Sequence, residues 1–280
     1  MEVIRIPRIM REISKELRFK GKSIGFIPTM GALHEGHLSL IRRAKEENDI
    51  VIVSIFVNPT QFAQGEDYEK YPRDVELDKE KLEALAIDYL FLPDVNSLYP
   101  EGYSTYVVVE GLSDKLCGAF RPGHFRGVAT VVCKLFNIVK PLRAYFGQKD
   151  YQQSLIIRRM VEDLNFDIEI IVCPTVREQD GLAMSSRNLY LDEKERQSAT
   201  VIYKALKEGE RLLNEGEKPL NVKLKMHEIL KKEPLIREIQ YAGVYDPLTL
   251  EEIKERQNKY LLAVALKIGD TRLIDNLIVE

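Results

Sequence analysis

The chain has 280 residues, 45% of them apolar, enough for two domains that need no disulfide or metal staples. Its formal net charge of −3, with 30% charged residues of both signs, gives no general pull toward nucleic acid. No apolar run approaches the ~20 residues that span a bilayer, so no membrane partner is expected.

In chain order, short apolar runs alternate with helical patterns. Residues 23–27 read as a strand that opens into a Pro/Gly-rich loop. Residues 37–48 carry Leu38, Ile41 and Ala44 at helical spacing. Residues 50–57 are nearly continuous β-branched side chains, the pattern of a strand buried on both faces. A helix over 74–86, a strand over 88–92 and an extra strand over 105–110 follow. Residues 128–139 are apolar nearly all round, which predicts a buried helix. Strands over 143–146 and 167–172 flank a helix over 151–164.

Strands separated by helices of this length predict βαβ units, a parallel sheet and right-handed crossovers. Residues 1–175 are therefore expected to form a doubly wound, Rossmann-like α/β domain. The pattern changes after about residue 176. Asp192 and Glu195 form a capping signature before one long helix through Asn214, which Gly216 and Pro219 break. A helix over 221–232 precedes strands over 238–245, 260–268 and 272–278, the last two joined by a tight turn at Gly269 and Asp270. Residues 176–280 are expected to form a smaller α+β domain, hinged as a lid.

Ligands of open parallel sheets bind beyond the carboxyl ends of the strands. Four polar loops follow predicted strands, at 28–37, 58–65, 147–150 and 174–187, and are expected to share one crevice. The first ends where a helix begins, so backbone N–H groups and the positive end of the helix dipole suit a phosphate. His34 and His37 stand at that turn, where imidazoles can donate to developing charge. The second loop supplies amides, Asn58 and Gln61, that suit hydroxyl and carboxylate groups. Lys149 in the third offers a point charge, and Ser185, Ser186 and Arg187 in the fourth a phosphate-binding set. A basic turn, Arg121 to Gly127 with His124 inside it, precedes the buried helix.

Several chemistries lack their motifs. There is no phosphate-binding Gly-x-x-x-x-Gly-Lys loop, no Gly-x-Gly-x-x-Gly and no Gly-x-Ser-x-Gly elbow. Cys117, Cys133 and Cys173 are odd in number and form no Cys-x-x-Cys pair, which argues against a disulfide framework and a zinc site. NAD, flavin, haem and structural zinc are not expected. The first 11 residues lack the apolar core of a signal peptide, so a cytoplasmic protein is expected.

His34-Glu-Gly-His37 resembles the His-x-Gly-His signature of the nucleotidyl-transferring Rossmann superfamily, and Met184-Ser-Ser-Arg187 resembles its second signature, with Arg187 where a lysine often sits. The fuller strings are more specific. Pro28 to His37, Phe56 to Phe62, Tyr71-Pro-Arg73, Arg121 to Gly127, Phe146 to Asp150 and Met184 to Asn188 together resemble the pantoate–β-alanine ligases (pantothenate synthetases), in that family's order. The resemblance implies ATP-dependent joining of pantoate to β-alanine through a pantoyl adenylate, with Mg2+ accompanying ATP and with AMP and pyrophosphate as products. It implies that Met30, Gly31, Ala32, Leu33, His34, Glu35, Gly36 and His37 hold ATP, with His34, His37, Lys149 and Arg187 catalytic. Gly147, Gln148, Lys149, Asp150, Val176, Met184, Ser185, Ser186 and Arg187 complete the implied ATP site. Gln61 and Gln153 are the implied pantoate and β-alanine residues, Arg121 and His124 lesser contributors, and Asp78 a carboxylate on the Mg2+ side. A homodimer is also implied. The competing expectation is a relative in the same superfamily that transfers a nucleotide to a phosphorylated acceptor. The amides of the 58–61 loop favour a hydroxy acid over a phosphate ester, which Arg or Lys would meet better.

Overall fold

The computed structural model describes residues 1–63 and 65–280; Gln64, in the second of the four loops, lies outside the described residues. The elements in order are β1 (Glu2–Ile4), α1 (Pro7–Phe19), β2 (Ile24–Thr29), α2 (Glu35–Glu47), β3 (Ile50–Ile55), α3 (Val75–Ala84), β4 (Tyr89–Phe91), α4 (Val95–Leu98), α5 (Cys117–Phe120), α6 (His124–Val139), β5 (Arg143–Gly147), α7 (Tyr151–Asp163), β6 (Glu169–Cys173), α8 (Glu193–Ser198), α9 (Val201–Asn214), α10 (Pro219–Lys231), β7 (Ile236–Tyr245), β8 (Tyr260–Ile268) and β9 (Thr271–Val279). They form two compact units.

The first unit comprises Met1–Ser113, Arg121–Gly147 and Gln153–Pro174. Its sheet has six strands in the order β1-β4-β3-β2-β5-β6, all parallel. The expected Rossmann-like doubly wound sheet is present, with helices on its faces. One face sets Ile27, Val53 and Tyr145 against Leu40, Ile41 and Ala44 of α2 and Leu82 of α3. On the other, Phe26 and Phe146 meet the ring of Phe136 in α6 edge to face. Core positions on both faces explain why β3 reads as a nearly continuous β-branched run. In α6, burial at Phe125, at each residue from Gly127 to Val132 and at Leu135, Phe136 and Val139 matches a helix apolar nearly all round. The strand order reverses between β2 and β5, which puts a topological switch point beyond Thr29 and Gly147.

The second unit comprises Asp114–Phe120, Gln148–Gln152 and Thr175–Glu280. Its sheet is antiparallel, in the order β7-β8-β9, with the two-residue turn at Gly269 and Asp270 joining β8 to β9. The largely apolar β8 is central, and the core combines Leu262, Val264 and Leu266 with Ile202, Leu206, Val222 and Met226 of α9 and α10. The face away from these helices carries Tyr241 and Arg272, which reach the Cys117 sulfur at 3.0 and 3.3 Å.

Three elements differ from expectation. Residues 105–110 form no strand: Val107 N–H donates to the Thr130 hydroxyl (2.9 Å) instead of to a neighbouring strand. The long helix after Asp192 is two helices. Its capping box forms with Glu195 as expected, but the Thr200 hydroxyl bonds back to the Gln197 carbonyl (2.8 Å) at the break between α8 and α9. Pro219 does not end a helix; it opens α10 at the first position, where its missing N–H costs nothing. The strand β1 and the amphipathic α1, with Pro7 at its start, were not anticipated.

Candidate active site

Beyond β2 the chain turns through Gly31 and Ala32, both at positive φ, into the N-terminus of α2. Asp78 on α3 holds this turn. Its carboxylate accepts the N–H groups of Ala32 (2.8 Å) and Leu33 (2.7 Å), while the Lys81 ammonium donates to the Leu33 carbonyl (2.6 Å). Burial pushes the Asp78 carboxyl above the usual carboxylate range, and the two amide hydrogen bonds pull it back only in part. Each of its oxygens accepts one backbone amide, so Asp78 anchors the loop. Among the described residues no group of three or more His, Cys, Asp or Glu converges as metal donors.

His34 is the N-cap of α2. Its Nδ1 accepts the Gly36 N–H (3.1 Å), and Nδ1 of His37 accepts the His34 N–H (3.3 Å), a reciprocal capping box built from two imidazoles. The rings lie 4.2 Å apart. With each Nδ1 accepting, the proton of each neutral ring sits on Nε2. Both rings are therefore fixed as Nε2–H donors at a helix N-terminus. Gly36 makes the cap fit, because a Cβ there would lie 2.9 Å from the His34 Nδ1. The Glu35 side chain is paired with Arg42, which holds its carboxyl below the usual range.

The loop after β3 is pinned from several sides. Asn58, buried, donates from Nδ2 to the Gly127 carbonyl and to Oε1 of Gln61, both at 3.1 Å. The other end of the Gln61 amide, Nε2, lies 3.0 Å from the Met30 sulfur. A thioether is a weak acceptor, so this N–H is placed to exchange it for a hydroxyl or carboxylate oxygen. Helix α6 presses on the same loop: a Cβ on Gly127 would fall 2.3 Å from the Thr60 carbonyl oxygen. His124 Nδ1 donates to the Gln61 carbonyl (2.8 Å), so its Nε2 accepts from Arg121 (3.0 Å). Arg121 in turn forks onto Glu66, both bonds 2.6 Å. Burial pushes the Glu66 carboxyl up, but Arg121 outweighs it and holds the group below its ordinary value. Arg121 and His124 thus brace Gln61. Gln153 stands half-buried in the first turn of α7.

In the second unit, Lys149 lies 3.6 Å from the Asp150 carboxylate. Met184 N–H donates to the Val176 carbonyl (3.0 Å), closing a small hairpin that brings Val176 beside the Met-Ser-Ser-Arg string. Ser185 caps the following turn by accepting the Arg187 N–H (3.3 Å), and Ser186 is buried. Arg177 forks onto the buried Asp275 at 2.5 and 2.9 Å. Burial pushes the Asp275 carboxyl up, and Arg177 holds it back. Sequence reading singled out neither Asn58 as a brace nor Glu66, Arg177, Asp275 and Asn276. A lone Asn or Asp gives no spacing signal; only Asn58, inside a polar loop after a strong strand, stood in a legible place.

A parallel doubly wound sheet whose switch point opens onto a helix N-terminus capped by two donor imidazoles defines a nucleotide-handling α/β enzyme. Over residues 2–278 the sequence matches the model of the pantoate-β-alanine ligase family. It is 97% identical, over the full length of both chains, to a pantothenate synthetase of Thermodesulfovibrio yellowstonii, and 55% identical, also over both full lengths, to one of Fervidobacterium nodosum. The fold superposes on a crystal structure of the Thermus thermophilus pantothenate synthetase with a TM-score of 0.95, 46% identity and 99% of each chain covered. A Francisella tularensis pantoate-β-alanine ligase, solved in complex with β-γ ATP and β-alanine, gives 0.82 and 38% identity, covering 99% of this chain and 97% of that one. The chain belongs to the pantoate–β-alanine ligase family and is an ATP-binding ligase.

Proposed function

We propose that the chain condenses pantoate with β-alanine in two steps. A pantoate carboxylate oxygen attacks the α-phosphorus of ATP, and pyrophosphate leaves. The amine of β-alanine then attacks the acyl carbon of the pantoyl adenylate; AMP leaves and the amine loses a proton. The first step is phosphoryl transfer, in which positioning and charge stabilisation dominate. The Nε2–H groups of His34 and His37 would meet the charge that builds on the phosphates, and the N-terminus of α2 adds its dipole. Gln61 would exchange the Met30 sulfur for a pantoate oxygen, with Gln153 the second pantoate residue. Lys149, Ser185, Ser186 and Arg187 would bind the nucleotide, Val176 the adenine, and Asp150 the ribose. Mg2+ enters on the phosphates of ATP as part of the substrate.

The observation that carries this reading is the paired imidazole cap, with both tautomers set by backbone N–H groups. The family's substrates and the amide loop around Gln61 support pantoate as the acid. The reading includes a cytoplasmic homodimer, which light scattering would check as twice the 32.3 kDa chain mass. It also includes closure of residues 176–280 over the adenylate to exclude water; scattering profiles that coincide with and without ATP would rule closure out. The central experiment incubates the protein with Mg-ATP and pantoate, with and without β-alanine. Pyrophosphate with pantoate alone, and sustained AMP release only when β-alanine is added, is the expected result. No pyrophosphate with either compound would overturn the assignment.

A further inference from the structure

We infer that Asp275 and Asn276, neighbours on β9, are positioning residues that set the backbone of both nucleotide-binding strings of the second unit. The inference rests on the proposed ATP-binding roles of residues 147–150 and 184–187. Along β9 inward and outward positions alternate, because successive side chains leave a strand on opposite faces. Two buried polar residues stand out: Asp275, 3% exposed at an inward position, and Asn276, 4% exposed where the alternation calls for an outward one. Each serves a different string.

Asp275 shares its face with Leu273, on the side of the helices. It takes the guanidinium of Arg177 in a fork, and its Oδ1 also accepts the Asn276 N–H (2.7 Å). Arg177 stacks on the Tyr203 ring at 4.2 Å and donates to the Gly181 carbonyl (3.0 Å) and the Asn276 carbonyl (3.3 Å). Because Arg177 pairs with Ala183 across the small hairpin, this fork fixes the hairpin's two ends and so the start of the Met184–Arg187 string.

Asn276 leaves the opposite face. Its Nδ2 donates to the Gln148 carbonyl (3.0 Å) and the Lys149 carbonyl (2.8 Å). Its Oδ1 is buried and finds no partner among the described residues. A buried amide that leaves its oxygen unpaired is held for what its nitrogen does. With two successive carbonyls turned toward Asn276, the Cα–Cβ direction of Lys149 is set. Asp275 and Asn276 pair with the buried Val264 and Ala263 of β8 without a bulge, so this fixed platform is common to both strings.

The test is direct binding of a non-hydrolysable ATP analogue by titration calorimetry, together with the KM for pantoate at saturating ATP. Asn276→Leu keeps the volume and removes the donor. It is expected to weaken analogue binding about tenfold while the pantoate KM changes less than twofold. Leu230→Ala, in the core under α10 and away from β9, is expected to lower the melting temperature at least as much with analogue binding unchanged. Should Asn276→Leu fail to fold, Asp275→Asn decides; losing the fork to Arg177 is expected to weaken analogue binding by three- to tenfold. A folded variant at either position that binds the analogue within twofold of the unaltered chain overturns the inference, as does an equal loss in Leu230→Ala. If the unaltered chain neither binds the analogue nor releases pyrophosphate, the proposed function itself fails.

Discussion

Imidazole is an uncommon helix cap, and His34 performs two tasks that a substitution can separate. Its Nδ1 closes the first turn of α2, and its Nε2–H is the group proposed to meet phosphate. Asparagine caps helices well but offers nothing in the Nε2 position. His34→Asn is therefore expected to keep stability to within about 0.5 kcal/mol in urea unfolding, yet to lower kcat/KM at least ~100-fold, as loss of a transition-state donor does. Gly127 gives the opposite pattern. A methyl group there must displace the Thr60 carbonyl, so Gly127→Ala is expected to cost about 1–3 kcal/mol as an overpacked site and to raise the pantoate KM by shifting Gln61. A stability change without a KM change would show that the Gln61 loop tolerates the shift. The imidazoles and Gln61 were legible in the sequence because they sit in consecutive strings at strand ends. The braces were not. Nothing in the spacing around Asp78 marks it as a brace, and only its reach to two amides 45 and 46 residues away reveals what it holds.

Elements were legible where burial on both faces leaves a continuous apolar signature, as in β3, β8 and α6. They were obscure where the outcome turns on a distant partner. Residues 105–110 have strand-like side chains, but pairing needs a free neighbouring edge, and the Thr130 hydroxyl takes the Val107 N–H instead. The break between α8 and α9 turns on one hydroxyl competing with the helical ladder. The segment between β3 and α3 carries a pH-dependent brace. Glu66 has its carboxyl held below the ordinary range by Arg121, so the unfolded chain takes up its proton first as pH falls. The stabilisation is full above the ordinary Glu value and disappears as pH drops through the folded-state value. Glu66→Gln is expected to lose about 1–3 kcal/mol at pH 7, typical of charged hydrogen bonds, and this deficit should shrink steadily below about pH 4.5. A deficit that stays constant down to pH 3 would mean that Arg121 does not depend on the charge of Glu66.

At the scale of the whole molecule, the second unit is not one stretch of chain. Gln152 accepts the Cys117 N–H (3.0 Å) and donates to the Lys115 carbonyl (2.7 Å), while the Tyr151 hydroxyl reaches the Pro247 carbonyl (2.9 Å). Cys117 of the first segment reaches Tyr241 and Arg272 on one face of the β7-β8-β9 sheet, and the Gln148 and Lys149 carbonyls of the second accept from Asn276 on β9. A fragment of residues 175–280, expressed alone, is expected to lack a cooperative thermal transition and to bind a hydrophobic dye. Addition of residues 114–120 and 148–152 through designed linkers should restore the transition; a sharp melt of the bare fragment would show these segments to be dispensable. The chain passes between the units five times, after residues 113, 120, 147, 152 and 174. Heredity feels this arrangement as well as folding. A single genetic crossover near codon 175 exchanges the β7-β8-β9 sheet but leaves behind the two short segments that line it, so a hybrid gene inherits a mismatched lining. Recombination cannot trade this unit as a cassette, and its parts must change in step, one compensating substitution at a time.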